Sequence, residues 1–257
     1  MGTTLHGLNN ESFIIAGCQR VSMASNAEII DAFVVQFTKF VYDNFLSTEA
    51  QVQYTVSTGY IVSKLHYELL STGEQQGSTA RFHYDNEVFN PYFSILVIKA
   101  RLDTNHDNFA FIGFKETQAA PLFDMTESHA GFMFYKDPTL LTATYRVYIS
   151  CGDGEDPVSH QQRITIEGLD PTDWYEYKIV GSDDGVEFWV RPLPVIYPYF
   201  NDIEYINTSR NWQLVGKLST VLPQDQVHYV AFSITNTTNV DCGLEISHII
   251  YGERYAD

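Results

Sequence analysis

The feature that most constrains this chain is a long succession of short, β-prone runs broken by turn residues. Runs rich in Val, Ile, Thr and aromatic residues fall at 52–63, 65–71, 79–84, 92–103, 109–116, 130–136, 143–151, 161–167, 174–181, 186–191, 213–221, 226–235 and 242–252. Between them stand Ser71-Thr72-Gly73, Thr104-Asn105-His106-Asp107-Asn108, Gly152-Asp153-Gly154 and Ser182-Asp183-Asp184-Gly185. Many short strands with this punctuation predict an all-β, antiparallel two-sheet sandwich. No alternation of strands with helices, no internal repeat and no second-domain linker interrupts the pattern. At 257 residues the chain lies within the range that such sandwiches reach as one unit.

Alternation assigns the faces. In 94–103, Ser94, Leu96, Ile98, Ala100 and Leu102 share one side; Ile95, Val97, Lys99, Arg101 and Asp103 share the other. In 186–191, Val186, Phe188 and Val190 point inward, so Glu187, Trp189 and Arg191 point outward. Residues 175–180 and 186–191 flank Asp184-Gly185, a hairpin signal. The stretch Pro192-Leu193-Pro194-Val195-Ile196-Tyr197-Pro198 reads as an irregular loop.

Residues 1–43 differ from the remainder, 44–257. Ser25-Asn26-Ala27-Glu28 has the form of a capping box, and Ile29, Ile30, Phe33, Val34, Phe37, Phe40 and Val41 follow at helical spacing. This predicts a helix near 26–41. A strand competes with it, because Phe33-Val34-Val35-Gln36-Phe37 is β-rich. Either way Ile30, Phe33, Val34, Phe37 and Val41 form a docking stripe for the sandwich or another subunit.

From Tyr42 onward the chain carries a family resemblance. Tyr42-Asp43-Asn44-Phe45 resembles the opening of concanavalin A-like lectin/glucanase domains. Ile95-Leu96-Val97-Ile98-Lys99-Ala100-Arg101-Leu102 and Phe109-Ala110-Phe111-Ile112-Gly113-Phe114 resemble their paired central strands. Trp174-Tyr175-Glu176-Tyr177-Lys178-Ile179 with Asp184-Gly185-Val186-Glu187-Phe188-Trp189-Val190 resembles their hairpin. Leu244-Glu245-Ile246-Ser247-His248-Ile249-Ile250-Tyr251 resembles their last strand. The resemblance spans about residues 42–252 and implies a jelly roll with one concave face. It does not fix a function, because the fold hosts lectins, hydrolases and structural modules.

Laminarinase-type hydrolases of this fold carry Glu-x-Asp-x-x-Glu on a central strand. A retaining enzyme needs two carboxyl groups about 5–5.5 Å apart. The nearest match is Leu122-Phe123-Asp124-Met125-Thr126-Glu127, with Leu122 where the nucleophile belongs. The expectation is therefore no catalytic residues and no enzyme. Among His6, His66, His83, His106, His129, His160, His228 and His248 there is no zinc-type spacing, and there is no Gly-x-Ser-x-Gly elbow. No metal or cofactor is expected, apart from weak Ca²⁺ binding at the acidic turn Gly152-Asp153-Gly154-Glu155-Asp156.

Charge narrows the partners. Thirty-two Asp and Glu against 15 Lys and Arg leave a net charge of −17, which opposes nucleic acid and anionic membranes. No apolar run is long enough to span a bilayer. The first residues lack a signal peptide or a myristoylation site, and Cys18, Cys151 and Cys242 are too scattered for a disulfide framework. Synthesis in the cytoplasm is expected. Trp189, between Glu187 and Arg191 whose charges cancel, is the candidate contact for a neutral glycan or a protein subunit, including further copies of the chain. Taken together these features predict a non-enzymatic structural or interaction protein, most concretely a virion component, because jelly-roll modules of this kind resemble ones often found on phage particles. A lectin-like carbohydrate-binding module is the alternative, and a glycoside hydrolase comes third.

Overall fold

The computed structural model describes residues 3–8, 11–15, 37–43, 53–54, 59–64, 67–89, 91–103, 107–116, 125, 127–136, 145–155, 161–192, 212–224 and 228–254. Its strands are β1 (Thr3–Leu8), β2 (Glu11–Ile15), β3 (Phe37–Asp43), β4 (Gln53–Tyr54), β5 (Tyr60–Lys64), β6 (Tyr67–Ser71), β7 (Thr79–Phe89), β8 (Ser94–Leu102) and β9 (Asn108–Lys115). They continue with β10 (Ser128–Tyr135), β11 (Arg146–Asp153), β12 (Gln161–Ile166), β13 (Tyr175–Ser182), β14 (Gly185–Pro192), β15 (Gln213–Leu218), β16 (His228–Asn236) and β17 (Gly243–Arg254). The 3-10 turn Pro91–Phe93 leads into β8.

Two antiparallel sheets form a sandwich. One has seven strands in the order β12-β11-β10-β9-β16-β7-β4. The other has eight: β15-β14-β13-β8-β17-β6-β5, with β3 also paired to β17. β1 and β2 form a separate ribbon. Every run read from the sequence overlaps at least one of these strands; 52–63 overlaps both β4 and β5.

The alternation in β8 and β14 puts the expected side chains inside. Leu96, Ile98, Ala100, Leu102, Val186, Phe188 and Val190 join one core with Tyr177, Ile179 and Ile246 of the same sheet. Ile112, Phe114, Phe132, Phe134, Ile149 and Phe232 meet them from the seven-stranded sheet. The contact between sheets is aromatic: Phe132 stands edge-on to Phe188 at 5.4 Å and to Tyr177 at 5.0 Å. Each such fully buried apolar side chain contributes roughly 1.5–3 kcal/mol. Cys151 and Cys242 are buried thiols in this core; Cys18 lies outside the described residues.

Turn chemistry closes the strands. In the β13–β14 hairpin, Ser182 pairs with Gly185, so Asp183 and Asp184 are the loop residues rather than Asp184 and Gly185. Ser182 Oγ donates to Asp184 Oδ1 at 2.6 Å and fixes that loop. After β6, Gly73 takes φ 76°, a left-handed conformation that favours glycine. Its N–H donates to the Asp241 carboxylate at 2.9 Å, as does Ser71 Oγ at 2.6 Å. The turn is thereby tied to the one before β17.

The N-terminal reading needs correction. The helix expected near 26–41 gives way, over its described part, to strand β3. β3 pairs with the outer half of β17, Ile249 opposite Asp43 and Gly252 opposite Phe40. The reason is tertiary: β6 occupies that edge of β17 only as far as Ile246. The remaining backbone groups of β17 need partners, and a β-rich Phe-Thr-Lys-Phe-Val-Tyr segment supplies them. Phe37 and Val41 lie in β3, while Ile30, Phe33 and Val34 lie outside the described residues. No helix of the described residues is long and apolar enough to cross a membrane.

Candidate functional site

The outward positions of β8, β13, β14 and β15 form three cross-strand rows. Lys99, Glu176 and Arg191 are directly paired across β8, β13 and β14. Val97, Lys178, Trp189 and Leu214 make the next row. Ile95, Val180, Glu187 and Lys217 make the third. Over β8 the face is closed: Ile95, Val97 and Lys99 are buried. Over β14 and β15 it opens, with Trp189 half-buried and Leu214 47% exposed.

All three tryptophans of the chain lie against this face. Trp174 has Lys99 and Arg101 over its ring, 5.4 and 5.0 Å from the centroid. Trp189 has the Lys178 ammonium at 4.8 Å. The same ammonium lies 4.4 Å from the Trp212 centroid, and the Arg191 guanidinium lies 4.6 Å from it. The register expected for Trp189 thus holds, and its indole N–H donates to Glu187 at 3.3 Å.

Arg191 does not lie free beside Trp189, as the charge balance with Glu187 suggested. It is buried and its Nε donates to Glu176 at 2.6 Å. Glu176 stands directly opposite it on β13, a partner that reading β14 alone does not reveal. Glu187 turns instead toward Lys217, 3.8 Å away. Burial is the main cause that pushes the Lys178 ammonium down to about 8, with Arg191 adding to it while Glu187 and Glu176 oppose. Lys178 and Glu176 could have been found by extending the period-two reading to β13. Trp212 carried no signal, since it precedes its strand.

The outer face of the seven-stranded sheet is built differently. Phe109, Phe111, Met133 and Tyr148 are buried there with Met125 in a second apolar cluster. The Phe111 ring lies across Gly131, where any Cβ would collide with it. Beside the cluster runs a polar chain. Arg163 Nη2 donates to Gln161 at 2.7 Å, Gln161 Nε2 to Ser150 Oγ at 2.9 Å, and His129 Nε2 meets Ser150 Oγ at 2.8 Å.

His129 Nδ1 lies 2.8 Å from the Glu127 carbonyl, which can only accept, so Nδ1 carries the proton. Nε2 is then the acceptor from the serine hydroxyl. Burial pushes His129 down to about 3. This Ser–His pair resembles an activated nucleophile in geometry. His129 and Ser150 are both fully buried, however, so no substrate reaches them.

Of the expected carboxylates, Asp124 lies outside the described residues, as does Leu122. Glu127 precedes β10 and is held by the buried Lys115 ammonium at 2.6 Å. Glu116, which the sequence reading passed over, accepts from the Ser128 N–H at 3.2 Å, next to Glu127. In the acidic turn the Asp153 carboxylate accepts from Glu155 N at 3.0 Å; Asp156 lies outside the described residues. Among the described residues no cluster of three or more His, Cys, Asp or Glu is placed to hold a metal.

No family model matches the chain, and no curated protein matches it in sequence. Its fold does match solved structures. The catalytic domain of a Thermotoga petrophila laminarinase aligns over 86% of this chain and 99% of its own, with TM-score 0.56 and 13% identity. An endo-acting O-glycanase of the human gut microbiota aligns over 86% and 100%, with TM-score 0.56 and 9% identity. A legume lectin-like domain from Entamoeba histolytica aligns over 79% and 90%, with TM-score 0.55 and 8% identity. The chain therefore has the concanavalin A-like jelly-roll fold of lectins and glycosidases. The expectation of a non-enzymatic protein is corrected here: most of these structural neighbours are glycoside hydrolases, and nothing among them points to a virion.

Proposed function

We propose that the protein recognises a glycan, and that the open half of the tryptophan face, around Trp189, Lys178 and Trp212, is the contact surface. The observation that carries this reading is the pair of half-buried indoles gathered about one ammonium at the open edge of the sheet. Indole offers a sugar a broad apolar surface and one N–H donor. The neighbouring Glu187 and Lys217 offer groups that hydrogen-bond hydroxyls. The fold supports the reading because lectins and glycosidases share it across more than three quarters of this chain. Titration with oligosaccharides, followed by tryptophan emission and calorimetry, tests it. Binding that Trp189→Ala weakens at least tenfold is the expected result. Binding indifferent to that change, or none, would contradict it.

A second reading is favoured by a separate observation. Glu116 accepts from the N–H of Ser128, the residue after Glu127, at the common end of β9 and β10. A retaining glycosidase works with two carboxyl groups brought close together, one as nucleophile and one as acid/base. Glycan binding and glycan hydrolysis are compatible in one jelly roll. Turnover of laminarin or mucin O-glycans that is abolished by both Glu116→Gln and Glu127→Gln is the result this reading expects. Turnover that survives both changes would remove these residues from the chemistry.

A further inference from the structure

We infer that the ligand of the tryptophan face is an acidic saccharide whose carboxylate is read by Lys178. This deepens the glycan reading above and rests on it. The first observation is local charge. Strands β8, β13, β14 and β15 carry the cations Lys99, Arg101, Lys178, Arg191 and Lys217 but only the carboxylates Glu176 and Glu187. This cationic strip sits in a chain of net charge −17. The acidic remainder acts at long range, where salt screens it beyond about 8–10 Å. A ligand seated on the strip meets the strip.

The second observation is how those cations are used. Arg191 is tied to Glu176. Arg101 is tied to Glu245 on β17. Lys217 reaches Asp184 at 2.9 Å. Lys99 is buried beside Glu176. Lys178 differs from all of these: its contacts are the two indole rings, and no carboxylate of the described residues lies within ion-pair distance. A cation–π contact satisfies an ammonium's charge in part but none of its three N–H donors.

An incoming carboxylate would supply the missing acceptor, in a place where two indoles exclude water and strengthen the pair. The same indoles would flank the pyranose ring that bears it. A galacturonate-type sugar carries both parts, whereas a neutral sugar leaves the ammonium unpaired.

Protonation gives this site a signature. Lys178 is pushed down to about 8 by burial and by Arg191, against Glu187 and Glu176. A bound carboxylate stabilises its charged form, so binding near pH 8 takes up a proton, and affinity falls as pH rises through that value. Around it stand Glu176, Glu187 and Arg191, together with Lys217 and Asp184 at the β15 edge. Lys99 is also lowered by burial. A Lys178 variant that leaves Lys99 in place separates the two lysines.

The test is calorimetric titration of the full chain with tetragalacturonate and with neutral laminaritetraose, from pH 6.5 to 9.5. Near-UV circular dichroism of each variant checks the fold. Expected are at least tenfold tighter binding of the acidic probe at pH 7 and its loss by at least tenfold in Lys178→Gln. Lys178→Arg should retain binding and lose the fall above pH 8, since a guanidinium does not titrate there. This arm also decides the matter if Lys178→Gln fails to fold. Equal affinity for both probes, unmoved by Lys178→Gln, would leave the glycan reading standing and overturn this inference. Tetragalacturonate binding that survives Lys178→Gln with an unchanged pH profile would also overturn it. If neither probe binds, the inference and the glycan reading fall together.

Discussion

The outer faces of the two sheets make an instructive pair. Both are written by the same period-two pattern, and both carry aromatic and basic residues. On the seven-stranded sheet those residues are consumed internally. Phe111 lies on Gly131, Met125 and Met133 join it, and a polar chain runs from Arg163 through Gln161 and Ser150 to His129. On the eight-stranded sheet the pattern stays unfinished at the β14–β15 edge. Leu214 is exposed, the indoles of Trp189 and Trp212 are half-buried, and Lys178 has rings but, among the described residues, no anion within ion-pair distance. The difference teaches that residue type does not mark a contact face in this fold. What marks it is whether the chain itself completes the contacts.

The largest effect that could break this comparison is on the closed face. Phe111→Ala removes a fully buried ring and leaves a void above Gly131, whose own lack of a side chain cannot fill it. A loss of about 3–5 kcal/mol is expected by chemical denaturation. A loss under about 1 kcal/mol would mean that this cluster is not a second core.

Next comes the buried pair under the open face. Arg191→Met strips the buried Glu176 of its guanidinium, with an expected loss of roughly 3 kcal/mol. Adding Glu176→Met should restore most of it, because the desolvated charge is then gone. If the double variant is no more stable than the single one, the pair is not the unit described here.

His129 sharpens the comparison through pH. In the folded chain it is pushed down to about 3, while an unfolded histidine titrates near 6.5. Below 6.5 the unfolded state binds the extra proton, so stability falls as pH drops from 6.5 toward 3. Between pH 7 and 5 this group alone should cost about 2 kcal/mol. His129→Gln should flatten that segment of the stability curve. An unchanged slope would show that the histidine is not held neutral by burial.

The smallest effect is on the open face. Trp189→Ala loses a half-exposed ring and its contact with Lys178, so unfolding stability should change by less than about 1 kcal/mol. The same variant should lose oligosaccharide binding. A large loss of stability would make Trp189 a structural residue and return the two faces to equivalence.

Much of the fold was legible in the sequence, because alternation and turns are local. Leu96, Ile98, Phe188 and Val190 could be assigned inward from their own strands. Trp189 followed outward by the same rule. Facts that depend on a second strand were not legible. The β14 sequence alone puts Arg191 on an exposed flank, because its partner Glu176 stands on the other strand of the hairpin. Residues 37–43 have helical spacing, yet they pair with β17 because its outer half has free backbone groups there. Glu116 comes opposite Ser128, next to Glu127, only through the β9–β10 pairing. The expectation of no enzyme failed for a different reason. It rested on one linear motif, whereas the fold is shared with glycoside hydrolases at 9–13% identity, where no linear motif need survive.

The central claim, that the glycan meets the eight-stranded sheet at its open edge, is tested most directly by hydrogen–deuterium exchange with and without bound oligosaccharide. Slower exchange confined to β13, β14 and β15, residues 175–192 and 213–218, is the predicted result. Protection on β9 and β10, residues 108–115 and 128–135, with none on β14 or β15, would place the ligand on the other face and contradict the account.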